Sequence, residues 1–349
     1  MKYNREELLK LLALAKPGLS SRDFVEQSSC FAFDGKYVFT FNDEVACRVP
    51  LKTAFRGAVK SASLLSILEK VEDNEVVVQL SKTGKQLIVR TKGRRLQLAF
   101  ESEIRMPLEA VETPKEWKSL PRYFDDAIRM CASCVTSDES KFKFTCVHLH
   151  PKHIEACDNY KFVRCRFKTG LRVPILVRGS ALAGVHEMGF NEMCVTKLWL
   201  HLRNSEGLVF SCRRFLEEYP SLDKFSGLSG EPFSLPKGLE VDVDLCEGLV
   251  KEREASPFLE IELEPRKLTL RGVGMSGIFT RVARTTYTGK PALFSARPSL
   301  VRDLLSGNSD AQLCDNSVVF SGSGSAGKWE FVTMLAKKLG RDEMPDTPE

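Results

Sequence analysis

Long apolar runs are missing from this 349-residue chain. The longest, Leu8–Ala15, is interrupted by Lys10, and nothing approaches the roughly 18 apolar residues that a membrane-crossing helix needs. Glu6 and Glu7 precede that stretch, where a secretory leader would place positive charge, so an amphipathic helix of the mature protein is expected there. Histidine is scarce, and none of the five stand in an HxxxH or HExxH pair. His148, His150 and His153 lie close together, but Pro151 interrupts them, and solvent-facing or satisfied rings are expected. No GxSxG elbow is present. The acidic pair Asp125-Asp126 reads as a solvated helix face rather than a general acid and base. Charge of one sign is lacking too: 51 bases against 46 acids leave a net +5, which does not by itself demonstrate a nucleic-acid partner. Cysteine is plentiful, but eleven is an odd number and the spacing is that of no disulfide framework. The thiols fall inside apolar patterns, as buried free cysteines do, which points to a reducing, intracellular setting. The one CxxC, Cys131 and Cys134, lies in a helical stripe with Phe124, Ile128 and Val135, and no second pair completes a zinc site. No metal, no cofactor and no catalytic constellation is expected.

What the chain has is a period. Leu64, Leu182 and Leu300 each sit in a short helical pattern, 182−64 = 118 and 300−182 = 118 residues apart. A basic residue precedes each: Lys60, Arg178 and Arg297. Turns at Asn74-Glu75, Asn191-Glu192 and Asn308-Ser309 follow at 117-residue spacing, and each leads toward a β-type run: Val76 to Leu80, Met193 to Leu202, Ser317 to Ser321. Solenoid repeats run to about 20–50 residues, so a period this long implies three copies of one small domain. Boundaries are expected at 1–112, 113–225 and 226–338, with an acidic, disordered tail at 339–349.

Each copy reads as helix, three strands, helix, three strands. In the first, the helices are Arg5 to Lys16, ended by Pro17-Gly18, and Lys60 to Val71. Strands fall at Cys30 to Phe33, Tyr37 to Phe41 and Glu44 to Val49, with Asp34-Gly35 as a hairpin turn. In the second copy helices are expected at Pro121 to Val135 and Gly179 to Met188, and in the third near Leu245 to Glu254 and at Pro298 to Leu305. Helices on one side of mostly antiparallel strands make an α+β fold.

Gly322 to Lys328 satisfies GxxxxGK, so a P-loop nucleotide-binding protein is one alternative. Position 329 is Trp where the motif needs Ser or Thr for Mg²⁺, and Trp329 to Met334 alternates like a strand rather than opening a helix. A Gly/Ser hairpin loop is the plainer reading. The basic residues offer more. Lys10, Lys16, Arg22, Lys60, Arg122, Arg129, Arg178, Lys251, Arg297 and Arg302 lie on or beside the six expected helices. Helices sharing one surface would give it a sequence-independent affinity for phosphates.

Three segments resemble the bacterial DNA polymerase III beta sliding clamp family. Glu155-Ala-Cys-Asp-Asn-Tyr-Lys-Phe162 resembles the family's A-T-D-G-H-R-L, with Cys157 for Thr, Asn159 for Gly, Tyr160 for His, Lys161 for Arg and Phe162 for Leu. Leu216 to Leu222 is similar to the G-R/E-F/Y-P-D-Y stretch that closes the middle domain. Glu330 to Leu335 resembles the last strand, with Leu335 in place of a Pro, and the chain continues beyond it. The likeness covers residues 1 to about 338. It implies three tandem clamp domains and a head-to-tail homodimer, a ring of six domains whose helices line the hole. It implies a non-enzymatic processivity factor in the cytoplasm, associated with the nucleoid. The factor would encircle double-stranded DNA and hold a polymerase and a clamp loader through short linear motifs. It also implies a pocket for those motifs at Cys157, Tyr160, Phe162, Pro220, Phe225, Val332, Met334 and Leu335, and it makes Arg22 a DNA contact. The rewritten pocket positions suggest a phage or mobile-element copy. A clamp-fold adaptor that binds proteins without encircling DNA is the other alternative.

Overall fold

The computed structural model describes residues 1–252, 258–306 and 309–335. The first third forms β1 (Lys2–Asn4), α1 (Arg5–Ala15), β2 (Cys30–Phe33), β3 (Tyr37–Phe41), β4 (Val45–Pro50), β5 (Gly57–Lys60), α2 (Ser61–Lys70), β6 (Glu75–Leu80), β7 (Gln86–Thr91) and β8 (Arg94–Ala99). The second forms β9 (Lys118–Ser119), α3 (Phe124–Ala132), β10 (Cys146–His150), β11 (His153–Cys157), β12 (Lys161–Arg166), β13 (Ile175–Arg178), α4 (Gly179–Leu182), β14 (Glu192–Val195), β15 (Trp199–Arg203) and β16 (Val209–Phe215). The third forms β17 (Glu231–Phe233), α5 (Glu240–Val250), β18 (Leu259–Glu264), β19 (Lys267–Val273), β20 (Ile278–Arg284), β21 (Ala292–Ala296), α6 (Pro298–Leu305), β22 (Ser309–Leu313), β23 (Ser317–Gly324) and β24 (Gly327–Met334).

The order is the same three times: a short strand, a helix, four strands, a helix, three strands. The period therefore marks a structural unit. Lys60, Arg178 and Arg297 occupy the N-cap of the second helix of each copy, and Leu64, Leu182 and Leu300 are all buried. The strand after that helix begins at Glu75, Glu192 and Ser309, so 192−75 = 117 and 309−192 = 117. In the third copy that strand is β22, and the run from Ser317 expected in its place belongs to the next strand, β23. Ser-Asp-Ala-Gln-Leu carries too little apolar alternation to register as a strand by pattern.

Helix boundaries differ from expectation where glycine or acids intervene. α3 is shorter than Pro121 to Val135. α4 stops at Leu182, because Gly184 takes a left-handed φ of 78° and a 3-10 turn, Val185–Met188, carries on. α5 starts five residues before Leu245, with Glu240 and Asp242 in its first turn, where acids complement the helix dipole. The expected helix past Glu252, Lys338 and the 339–349 tail lie outside the described residues.

The chain forms two compact units. One comprises Met1–Ala132, His148–Pro151 and Thr169–Glu218. Its larger antiparallel sheet runs β5-β2-β3-β4-β16-β15-β14-β9, and its smaller one β1-β6-β7-β8. β4 of the first copy meets β16 of the second, with Cys47 opposite Phe210 and Val45 opposite Cys212. α1 lays Leu8, Leu12 and Ala15 on the strands, an i, i+4, i+7 stripe. The Asn4 side chain caps it by accepting from the Glu6 and Glu7 amides at 3.0 and 3.1 Å. Gly57 is obligatory at its position: φ is 140°, and a Cβ would lie 2.2 Å from the Glu101 carbonyl. Trp199 is fully buried and donates from Nε1 to the Ala110 carbonyl at 3.0 Å.

The other unit comprises Ser133–Val147, Lys152–Lys168 and the described residues from Tyr219 on. Its sheets run β17-β22-β23-β24-β12-β11 and β20-β19-β18-β21. Here β12 of the second copy meets β24 of the third, with Phe162 opposite Val332 and Arg164 opposite Glu330. α5 and α6 pack against each other, as α1 packs on α2 and α3 on α4 in the first unit.

Candidate functional site

The β11, β12 and β24 register builds a pocket. Side chains two residues apart on a strand share a face. Cys157 pairs with Phe162, Phe162 with Val332, and Val332 with Val319, so one apolar row crosses four strands. The segment after β16 folds back over that row with Leu222 buried against it and Tyr219, Phe225 and Leu228 packed alongside. A cavity of about 290 Å³ opens between them, lined by Phe144, Cys157, Asp158, Asn159, Tyr160, Lys161, Phe162, Pro220, Ser221, Leu222, Lys224, Phe225, Val332 and Met334. Seven of the eight residues named for the pocket from the sequence line it. The eighth, Leu335, bridges to Phe294 instead and donates its amide to the Asn316 carbonyl at 2.9 Å.

The floor is fixed by Tyr219. Its hydroxyl accepts from the Cys157 amide at 3.1 Å and reaches the Cys157 sulfur at 3.6 Å, and its ring meets Phe144 edge-on. Burial pushes the Tyr219 phenol up and holds the Cys157 thiol at about 11, so both stay neutral. The rim is adaptable: Tyr160 is 68% exposed and Met334 43%. Asp158 and Lys161 pair at 3.3 Å, and the Lys161 ammonium lies 3.5 Å from the centre of the Phe258 ring. Lys224 stands over the Phe225 ring. The pocket is apolar at its base and carries amines at its edge.

Charged residues that sequence reasoning missed hold the segment over the row. Glu155, Arg164 and Glu330 are buried. Arg164 donates to Glu155 from Nε at 2.7 Å and from Nη1 to Asp223 at 2.9 Å. Glu330 accepts from Arg166 at 2.8 Å, from the Gly227 amide at 3.1 Å and from the Ser226 hydroxyl. The sequence signal was Glu155, Arg164 and Glu330 standing inside otherwise apolar strands.

The basic residues divide by unit. In the first, Lys10, Arg22 and Arg122 are exposed and make no ion pair among the described residues, and Arg122 lies near the Tyr123 ring. Lys16 approaches Glu69 at 3.9 Å, Arg129 pairs with Asp126 at 3.1 Å, and Lys60 is bound to Asp23. Arg178 is mostly buried, 3.5 Å from Glu44. The end of α1 and the α4 region share a groove of about 470 Å³ that Lys16, Ser180 and Glu187 help line, so helices of two copies meet on one surface. In the second unit the candidates are compromised. Arg297 is half-buried. Its guanidinium lies 5.3 Å from the centre of the Phe258 ring, and burial lowers its pKa. Arg302 is taken up by Asp244 at 2.7 Å and by Glu247, and Lys251 by Glu247 at 3.2 Å. α5 carries Glu240, Asp242, Asp244 and Glu247 and no base.

The GxxxxGK stretch is a hairpin. Gly324 faces Gly327 across a two-residue turn, Gly327 has φ 77°, and Lys328 sits in β24 opposite Ser323. No helix begins there, so the phosphate cradle that a P-loop requires is absent and that alternative is set aside. Ten of the eleven cysteines are buried. No helix among the described residues is long and apolar enough to cross a membrane.

No family model matches the sequence, and no curated protein matches it. Solved structures do. The DNA polymerase III beta chain of Streptococcus pneumoniae superposes with a TM-score of 0.70 at 11% identity, over 97% of this chain and 99% of that one. The sliding clamp of Pseudomonas aeruginosa, bound to griselimycin, gives 0.70 at 14% over the same shares. The beta subunit of Thermotoga maritima gives 0.69 at 12%, again over 97% and 99%. Across almost its whole length, then, this protein has the α+β fold of the bacterial DNA polymerase III beta subunit, the sliding clamp.

Proposed function

We propose that the protein is a DNA sliding clamp, a processivity factor without catalysis of its own, in which two chains joined head to tail encircle duplex DNA. It is built of three domains, 1–112, 113–225 and 226–338, and works in the cytoplasm where the DNA is. One observation carries the reading. β4 meets β16, and β12 meets β24, by the same rule: the fourth strand of one copy joins the last strand of the next. Applied again, the rule leaves β20 and β8, which have no strand on their outer edges among the described residues. A second chain supplies both missing partners at once. Exposed strand edges are otherwise a liability.

Lys10, Lys16, Arg22, Arg122 and Arg129 supply weak, interchangeable phosphate contacts, which suit sliding better than a fixed grip. The pocket over Cys157, Phe162 and Val332 takes short peptides with Leu and Phe anchors from a polymerase and a clamp loader. The test is topological. With a loader, the protein is retained on a nicked circular plasmid through gel filtration in high salt and is lost when the plasmid is linearised. Equal loss from both forms rejects encirclement. The ion pairs of Arg302 and Lys251 favour a second reading, a clamp-fold adaptor that holds proteins without DNA. In that case the pocket binds peptide while neither plasmid retains the protein.

A further inference from the structure

We infer that Asp223 and Ser226 are positioning residues of the peptide pocket, two pins that hold its wall against buried charges of the sheet. The inference rests on reading the cavity as a peptide site. Two rows of side chains lie on the same face of the β11-β12-β24-β23 sheet. The apolar row is Cys157, Phe162, Val332 and Val319. Two residues along each strand, on the same face, comes a polar row: Glu155, Arg164, Glu330 and Ser321.

The segment from Tyr219 to Leu228 covers both rows and is written to match them. Its apolar members, Tyr219, Leu222, Phe225 and Leu228, fall on the apolar row. Its polar members fall on the charged one. Asp223 accepts from Arg164 Nη1 at 2.9 Å, and Ser226 and the Gly227 amide both donate to Glu330. Ser221 donates to Asp223 at 3.2 Å, and the Asp223 carboxyl is held below the usual carboxylate range by Arg164. Each anchoring charge keeps a second partner on the sheet, Glu155 for Arg164 and Arg166 for Glu330. The sheet charges therefore remain compensated when the wall is released.

That redundancy separates holding the wall from holding the fold. A segment with no regular structure beyond one short 3-10 turn, Asp223–Phe225, supplies five of the fourteen residues that line the pocket. Left unpinned, it would have to be ordered by each incoming peptide, at the cost of affinity. Pinned by charge-assisted hydrogen bonds, it is ordered in advance.

The double variant Asp223→Ala/Ser226→Ala tests this without leaving an unpaired charge in the sheet. Two readouts are taken on the full chain. Amide exchange followed by mass spectrometry should accelerate by about tenfold across 221–228 and stay unchanged in β24. Binding of a fluorescein-labelled pentapeptide ending in Leu-Phe should weaken by roughly tenfold, while Asp223→Glu/Ser226→Thr restores it. Unchanged exchange over 221–228 overturns the inference, whether or not a peptide binds. Faster exchange with unchanged affinity overturns it as well, because the wall would then not matter to binding. If the unaltered protein binds no such peptide, the pocket reading fails, and the exchange readout still decides whether the pins hold the wall.

Discussion

Four strands that sit at copy boundaries are paired, and two that occupy the same places are not. At the β4–β16 join, Val45, Cys47, Phe210 and Cys212 are all buried, and so are Phe162 and Val332 at the β12–β24 join. On β20, by contrast, Ile278 is 64% exposed and Val282 54%, and no residue of β8 is buried. The same local grammar gives a sealed seam twice and an open edge twice. On the proposed ring the open edges are unfinished seams, each completed by the unlike edge of another copy, which is a heterologous contact that closes when the rotation closes.

That contrast can be broken first at a sealed seam. Phe210→Ala removes a fully buried ring opposite Cys47, and large-to-small changes of this kind cost about 3–5 kcal/mol. A thermal melt should show a strongly destabilised chain, and a loss under 1 kcal/mol would mean that the join is not a core seam. Acid should act beside that seam, at the β15–β16 pairing. His201 faces Ser211 on β16, is buried, and hydrogen-bonds the Ser211 hydroxyl at 2.8 Å. Burial lowers its pKa from 6.5 to about 4. The folded form therefore favours the neutral ring. Stability is full above about pH 6.5 and is lost as pH falls toward 4, by roughly 3 kcal/mol in all. Denaturant titrations across that window should show the slope in the native protein and a flatter one in His201→Gln.

Changes at an open edge should behave oppositely. Ile278→Asp/Val282→Asp alters side chains that are exposed in the single chain, so the folding stability of the monomer should move by about 0.5 kcal/mol or less, while self-association is lost. The smallest effect concerns the helices. Lys10→Glu/Arg22→Glu should reduce the salt dependence of non-specific DNA binding by about one unit of log–log slope per charge. Arg302→Ala, already neutralised by Asp244 and Glu247, should change it less.

The sequence made the repeated order legible because periodic apolar residues and turn chemistry act locally. Cys30–Phe33, Tyr37–Phe41 and Pro298–Leu305 are found with the expected bounds. It did not reveal the short strands β1, β9 and β17, whose two or three residues carry no periodicity. It also missed β22, whose polar run pairs with β17 and β23. At the pocket, the lining residues came from a family likeness and not from pattern. The pins over it were invisible because their partners are far apart along the chain, 59 residues from Arg164 to Asp223 and 104 from Ser226 to Glu330. The approach of the Arg297 guanidinium to the Phe258 ring was illegible for a similar reason, because the two are far apart along the chain.

The central claim is that β8 and β20 are the two halves of a seam between chains. Light scattering coupled to gel filtration, over a wide range of concentration, measures it directly. The account predicts twice the 39.2 kDa mass of one chain, reverting to that of one chain in Ile278→Asp/Val282→Asp. A strict monomer at every concentration, or a dimer that the edge variant leaves intact, would contradict it.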